Sequence, residues 1–277
     1  MINLDEPFLI LDEESGVSFF FRNADQLDTI ATQISRDGLG SYEFPTPAII
    51  IYLAREAGGL FLDVGANTGL LSLVAAAANP LIRVVAFEPL ESVRLLLGAN
   101  VAANPTLAPR ITIESIGLSN KAGTSCFYET INDVGLVTTS SSLELSHAES
   151  IGVYHEQTIE TETLDRWSER LSSLPIRLIK IDVEGHEYAV LEGGQKTIAK
   201  NRPYLTIEVL GNAGLESINR FLIEADYIDF AIAPSGLRHC ASVAHHFDAW
   251  NHLLCPSEKA AQVLRMVRHL GIDMSLV

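Results

Sequence analysis

Two observations predict an α/β fold with a mainly parallel sheet and helices on both faces. Apolar runs of strand length alternate with helix-patterned segments from about residue 60 onward. Several of those runs also end in an acid: Asp63, Glu88, Asp182 and Glu208. Alternation of this kind builds parallel βαβ units, and such sheets hold their ligands beyond the carboxyl ends of the strands. A length of 277 residues suits one large domain with additions, and a hydrophobic share of 47% supplies its core.

The elements follow in order. Residues 1–45 read as a lead-in, with short strands at 8–11 and 17–21 and a helix over 24–35 capped by Asn23 or Asp25. Pro45 and Pro47 punctuate the entry to a helix over 48–57, which Gly58 and Gly59 close. The regular alternation then runs strand 60–64, helix 69–78, strand 82–87, helix 90–103, strand 111–117 and a β run at 124–129. Residues 130–150 are polar and serine-rich and read as a lid loop, because a long loop inside a compact α/β domain is more often functional than a linker. A short amphipathic helix at 164–171, a buried strand at 176–183 and a helix at 188–199 follow, with Gly193 and Gly194 near that helix's end. Strand 203–209, helix 215–225, β runs at 227–233 and 250–254 and a helix over 257–270 complete the chain. The division is an extension over 1–45 and a main domain over 46–277.

Composition narrows the function. The formal charge of −16 argues against partners that need a basic stripe, nucleic acid above all, and against an anionic membrane surface. Three cysteines without a C-x-x-C pair favour neither a disulfide framework nor a zinc knuckle, and a cytoplasmic setting is expected. The first residues carry acids instead of the basic start of a secretory leader, and no apolar run reaches membrane-spanning length.

Chemistry concentrates in two places. The first is Phe61-Leu-Asp-Val-Gly-Ala-Asn-Thr-Gly69, a strand ending in a glycine turn that leads into a helix. Such a turn lets backbone approach a nucleotide-like ligand and aims helix N–H groups at it. The G-x-G-x-x-G spacing of NAD sites is absent, and Asp63 stands where a pyrophosphate would lie. A ligand with a positive centre and an amino-acid tail, S-adenosylmethionine, suits that carboxylate. Glu88, at the end of the next strand and before Pro89, is placed to hold ribose hydroxyls. The second place is Lys180-Ile-Asp-Val-Glu-Gly-His-Glu187. There His186 has the side chain that titrates nearest neutrality, and Asp182, Glu208 and a third oxygen ligand could hold Mg²⁺. Glu184 and Glu187 also fit a helix N-terminus.

Together these motifs resemble the FkbM family of S-adenosylmethionine-dependent methyltransferases. The matching pieces are the glycine turn, Val85-Ala-Phe-Glu-Pro89, Gly117-Leu-Ser-Asn-Lys-Ala-Gly123, Thr163-Leu-Asp165, Ile179-Lys-Ile-Asp-Val-Glu-Gly-His-Glu187, Val190-Leu-Glu-Gly193 and Ile207-Glu208, in family order over about 45–256. The resemblance implies a class I methyltransferase: a Rossmann-like, mainly parallel seven-stranded sheet with a final antiparallel strand. It implies methyl transfer to a hydroxyl of a sugar, polyketide or other secondary metabolite. It assigns Asp63, Gly65, Ala66, Asn67 and Gly69 to the methionine end of the cofactor, Glu88 to the ribose, Ser115, Ile116 and Gly117 to the adenine, and Asp182 to the neighbourhood of the methyl group. Asp182, His186 and Glu208 are the candidate catalytic residues, and no metal ligand set is assigned. The acid common after the third strand is missing here, where only Asn120 stands. The first 45 residues and the tail after Pro256 carry no family signature and are expected to shape the acceptor pocket or a contact between copies. Competing readings are an N-methyltransferase, a non-catalytic cofactor-binding module and an NAD-linked oxidoreductase.

Overall fold

The computed structural model describes residues 6–23, 28–130, 141–171, 174–211 and 214–276. The chain opens with a hairpin, β1 (Phe8–Asp12) and β2 (Val17–Phe21), followed by helices α1 (Thr29–Asp37) and α2 (Thr46–Glu56). Then come β3 (Gly59–Val64), α3 (Leu70–Ala78), β4 (Ile82–Phe87), α4 (Glu91–Ala102) and β5 (Ile111–Glu114). A side unit contains β6 (Gly117–Leu118), β7 (Gly123–Thr130), α5 (Leu145–Ile151) and β8 (Tyr154–Glu162). The main alternation resumes with α6 (Leu164–Ser168), β9 (Ile176–Ile181), α7 (Glu187–Gly193), α8 (Gln195–Asn201), β10 (Tyr204–Glu208) and α9 (Leu215–Ala225). The chain closes with β11 (Tyr227–Ala233), β12 (Gly236–Cys240), β13 (Asn251–Pro256), α10 (Ala260–Leu270) and β14 (Asp273–Leu276).

The main sheet has nine described strands, in the order β14-β12-β11-β13-β10-β9-β3-β4-β5. Strands β5, β4, β3, β9 and β10 run parallel, while β13 pairs antiparallel with both β10 and β11. The expectation of seven strands therefore needs correction. Strands β12 and β14 lengthen the edge beyond β11, and the sheet, with β13 antiparallel to both neighbours, is mixed. Strand 111–117 is also corrected. It stops at Glu114, whose carbonyl accepts the Glu88 N–H at 3.0 Å, and Gly117–Leu118 pairs instead with β8 in a three-stranded side sheet.

Two hydrophobic clusters cover the two faces. One joins the hairpin, α2, α3 and α10 through Phe19, Phe21, Ile50, Leu73 and Met266; the other joins α6 to α9 through Trp167, Val190, Ile198 and Phe221. Strand β2 docks just beyond the end of α4 through Asn104, which accepts the Phe20 N–H and donates to the Phe20 carbonyl, both at 2.7 Å. The first helix starts later than expected. Its cap is Asp28, whose Oδ1 accepts the Ala31 N–H at 2.9 Å. The helix expected over 188–199 is broken at Gly194. A Cβ on Gly193 would come within 2.1 Å of the Ser119 carbonyl oxygen, and Asp165 accepts the N–H groups that open the second segment.

Candidate active site

A cavity of about 450 Å³ opens at the carboxyl ends of β3, β4, β9 and β10, within the size range of small-ligand sites. Asp63, Gly65, Ala66, Asn67, Glu88, Ile116, Gly117, Asp182 and Glu208 all line it. Ser115, Gly69 and His186 are not among its lining residues. Ten residues of the expected lid, 131–140, lie outside the described residues. Of the remainder, Ser141, Leu143 and His147 form part of the cavity wall, as does Ile151 just beyond it.

The glycine turn is built by backbone constraints. Gly65 has φ of 74°, and a Cβ there would lie 1.9 Å from the Asp182 carbonyl oxygen, so the turn after β3 is pressed against the turn after β9. The loop N–H groups are engaged within the protein. Gly65 and Ala66 donate to the Phe87 carbonyl at 3.1 and 3.0 Å, and Asn67 to Glu88 Oε2 at 3.0 Å. Thr68 donates to Asn67 Oδ1 at 2.7 Å and Gly69 to the Ala66 carbonyl at 2.9 Å. The amides of the loop itself, from Gly65 to Gly69, are therefore engaged within the protein. Gly69 serves packing. It has φ of 89°, and its missing side chain makes room for Leu97 Cδ1, 2.2 Å from where a Cβ would be.

Glu88 is fixed by two backbone donors. Oε1 accepts the Leu90 N–H at 2.9 Å and Oε2 that of Asn67, so each oxygen has one fixed donor. Burial pushes its carboxyl up to about 7, although the two backbone donors and the Lys180 charge pull the other way. Leu90, Val93, Phe127 and Ile159 form an apolar cluster along the cavity beside it, supplied by α4 and the side sheet. Asp63 is almost fully buried. Its Oδ2 accepts from Ser72 Oγ at 2.6 Å, while Oδ1 has no hydrogen-bond partner and stands 3.7 Å from Lys180 Nζ. Burial raises its pKa, opposed by Lys180 and Ser72.

The opposite end of the cavity is acidic. Lys180 donates to the Gly65 carbonyl at 2.6 Å and pairs with Asp182 Oδ2 at 3.3 Å. Burial would lower the Lys180 pKa, but Asp182, Asp63 and Glu43 outweigh it and raise it. Glu184 reaches His147 Nε2 at 3.3 Å. Its pKa is pushed up to about 9 by burial and then by the charges of Asp182 and Glu187. Glu208, whose Oε2 is closed off without a hydrogen-bond partner, is raised for the same first reason and by Asp182 and Glu184. Tyr42, Glu43 and Trp250 complete this end.

Two motif residues work on the scaffold. Glu187 is fully buried, and its Oε1 accepts the N–H of Val183 at 2.9 Å and of Gly185 at 3.3 Å, closing the turn that carries Asp182 and Glu184. Burial pushes its carboxyl up to about 7. His186 is engaged at both ring nitrogens: Nδ1 lies 2.5 Å from Glu144 Oε1 and Nε2 2.9 Å from Ser119 Oγ. Tyr188 donates to the same Glu144 oxygen at 3.2 Å, and the His186 hydrogen bond holds the Glu144 carboxyl below its usual range.

Sequence reasoning missed Tyr42, Glu43, Lys180, Glu144, His147 and Trp250. Lys180 left a signal, since it is a lone cation within the otherwise apolar run Leu178-Ile-Lys-Ile181. The others come from segments without a motif.

The arrangement fits S-adenosylmethionine. A carboxylate pair, Asp63 and Glu88, faces a cavity with an apolar shelf, and the oxygen of Asp63 without a partner suits a cationic amine. A profile described as Methyltransferase FkbM domain matches residues 63–228. The AMB antimetabolite synthetase AmbE of Pseudomonas aeruginosa is 36% identical over 122 residues, which is 42% of this chain and 5% of that protein. The chain therefore spans a small fraction of that relative's length. Among solved structures, methyltransferase FkbM from Methylobacillus flagellatus KT is similar at 17% identity and TM-score 0.47, over 72% of this chain and 43% of that one. A SAM-dependent methyltransferase from Agrobacterium tumefaciens is similar at 13% identity and TM-score 0.49, over 92% and 71%. No described helix is long and apolar enough to cross a membrane. With the profile covering more than half its length, this chain belongs to the FkbM family of S-adenosylmethionine-dependent methyltransferases.

Proposed function

We propose that the protein methylates a hydroxyl group of a small acceptor, a sugar or another secondary metabolite. The observation that carries this reading is the sharing of one cavity: Asp182 and Glu208 line the same space as the glycine turn and Glu88. The cofactor, when bound, supplies an electrophilic methyl group on a sulfonium. Glu88 accepts the ribose hydroxyls, the apolar shelf takes the adenine, and Asp63 faces the ammonium. Asp182 and Glu208 stand at the acceptor end, where either can take the hydroxyl proton, or where they can hold Mg²⁺. His186, with both nitrogens engaged, positions Glu144 and the wall of the cavity. The residues 46–277 form the methyltransferase domain in this reading, and Tyr42 and Glu43 of the lead-in complete its pocket. The charge of −16 supports a small molecule over nucleic acid or membrane, and the free cysteines fit the cytoplasm.

The test combines calorimetry with S-adenosylhomocysteine and a turnover screen over hydroxylated acceptors. Asp182→Asn should slow transfer by roughly 10²–10⁴-fold, the usual contribution of a general base, while keeping product binding within about tenfold. His186→Ala should stay within about tenfold of wild type, as expected of a residue that acts through the wall. Wild-type rates in both Asp182→Asn and Glu208→Gln would overturn the assignment of this end of the cavity.

A further inference from the structure

We infer that Tyr42 and Glu43 of the lead-in and Trp250 and Asn251 at the start of β13 form a clasp that selects the acceptor, with the Trp250 indole as the platform for a hydroxylated ring. The inference rests on the methyltransferase reading and adds the residues that choose the substrate. Asp63, Glu88, Asp182 and Glu208, which serve the cofactor and the transfer in that reading, all lie inside the segment 63–228 that the family profile matches. Tyr42, Glu43 and Trp250 line the same cavity from outside that segment. The cavity thus joins a wall common to the family with a wall built from two remote stretches of this chain.

The two tryptophans of the chain are used in different ways. Trp167 is 4% exposed, packs edge-on against Phe87 at 4.9 Å between centroids and donates to Glu114 Oε1 at 3.4 Å. Trp250 is 54% exposed although it lines a cavity. Its main chain is pinned, because its carbonyl accepts the Val209 N–H at 2.7 Å, one residue past Glu208. A large apolar face that is fixed in place and left uncovered suits the flat side of a ligand ring.

Glu43 ties this tryptophan's strand to the lead-in. Its Oε2 accepts from Asn251 Nδ2 at 3.0 Å, across 208 positions of sequence. Glu43 has φ of 43°, a left-handed conformation that a glutamate holds at a cost. Its carbonyl accepts the Thr46 N–H at 2.8 Å where α2 begins, so the strained residue is fixed through both backbone and side chain. Strain of this kind gathers where a side chain has to be aimed. Burial, and then the charges of Glu43 and Asp182, push the neighbouring Tyr42 hydroxyl upward, so it keeps its proton and serves as a donor. The clasp offers one flat apolar face, a hydroxyl donor and a carboxylate acceptor, which together read a ring bearing hydroxyl groups.

The full chain with saturating S-adenosylhomocysteine is titrated with methyl β-D-glucoside as a saturated ring, catechol as an aromatic ring and sorbitol as an open chain, using saturation-transfer NMR and calorimetry. At least one ring should bind about tenfold tighter than sorbitol, the size of one aromatic contact. Preference for the glucoside or for catechol supports the platform and tells a saturated acceptor ring from an aromatic one. Trp250→Ala should weaken the tighter ring about tenfold, and Trp250→Phe should stay within about threefold of wild type. Asn251→Ala should weaken it about threefold, and Glu43→Ala combined with Asn251→Ala should match Glu43→Ala alone, because both remove one clasp. With the best acceptor of the turnover screen, Trp250→Ala should raise KM about tenfold and leave kcat within about threefold, the pattern of lost binding and not of lost chemistry. Sorbitol binding as well as both rings, absence of ring binding, or unchanged ring binding in Trp250→Ala each overturns the clasp. Failure of S-adenosylhomocysteine to bind would instead remove the methyltransferase reading, so the two failures are separable, and the wild-type comparison of probes needs no variant to fold.

Discussion

The two strand-to-helix turns of the site use their residues in opposite ways. In the turn between β3 and α3, the sequence offers glycines and small residues, and the backbone itself forms the wall of the cavity. Its amides are closed on neighbouring carbonyls and on Glu88. In the turn between β9 and α7, the sequence offers three carboxylates and a histidine, and these divide. Asp182 and Glu184 face the cavity, whereas His186 and Glu187 hold the turn and the adjoining wall. A dense cluster of reactive residue types therefore contains both reagents and fasteners. What separates them is whether their polar atoms already have partners inside the protein.

The sharpest way to break the comparison is at the point where the turns touch. Gly65→Ala places a Cβ 1.9 Å from the Asp182 carbonyl and forces a side chain onto φ of 74°. Neither partner is flexible, because Asp182 N–H is itself tied to the Val64 carbonyl at 3.1 Å. A loss of more than about 4 kcal/mol is expected, in the range of backbone strain combined with overpacking. Gly69→Ala meets only the end of the Leu97 side chain, which can move. It should cost about 1–3 kcal/mol. Urea denaturation of both variants checks the ranking, and equal losses would mean that the turns are not interlocked at Gly65.

Much of this region was legible in the sequence because strand, glycine turn and acid recur in a fixed order. Strands β3, β4, β9 and β10 lie within a residue or two of their expected ends, since buried parallel strands are continuous apolar runs. Strand β8 went unread because its burial is largely exposed over Tyr154–Glu162, leaving no alternation to see. The edge strands β12 and β14 are short and polar, and their place is set by pairing with β11 and with each other. Tyr42, Glu43 and Trp250 reach the cavity by tertiary folding from distant segments, which no local pattern records.

A smaller effect separates the two turns by pH. In the proposed reading Glu88 accepts hydrogen bonds from ribose hydroxyls, and burial has pushed its carboxyl from 4.5 to about 7 in the free protein. Ligand binding should favour the ionised form, so affinity for S-adenosylhomocysteine should fall about tenfold per pH unit below 7 and level off above 8. Glu88→Gln should flatten that dependence, and Glu88→Ala should weaken binding by about 1.5–3 kcal/mol, the range for a hydrogen bond to a charged group. The sign for stability is the reverse. A carboxyl with a raised folded pKa favours the folded state while protonated, and that contribution is lost as pH rises from about 4.5 to about 7. Calorimetry across pH 5.5–8.5 measures the binding half. A flat profile in the wild type would take Glu88 out of ribose recognition.

The smallest effect belongs to Glu187→Gln, and it tests whether a motif acid can be a fastener only. Its Oε1 holds the N–H groups of Val183 and Gly185, and its Oε2 is buried without a partner. Glu187→Gln can keep the accepting oxygen and removes the charge whose burial raises the pKa to about 7. It also introduces an NH₂ group where Oε2 found no partner, so relief and penalty oppose each other. The net change at pH 7 should be within about 1 kcal/mol, because a neutral acceptor replaces one whose ionisation is already disfavoured. Glu187→Ala leaves two turn amides without an acceptor and should cost about 2–3 kcal/mol or more. Linkage supplies the discriminating readout. In the wild type, the protonated Glu187 carboxyl favours the fold below about pH 4.5, and this contribution declines toward pH 7; the Gln variant lacks that slope. Thermal unfolding of the three proteins at pH 5 and pH 7.5, alongside product affinity, decides the matter. Intact product binding with wild-type-like stability in Glu187→Gln is the expected pattern, and a collapse of turnover in that variant at unchanged stability would move Glu187 from the scaffold to the chemistry.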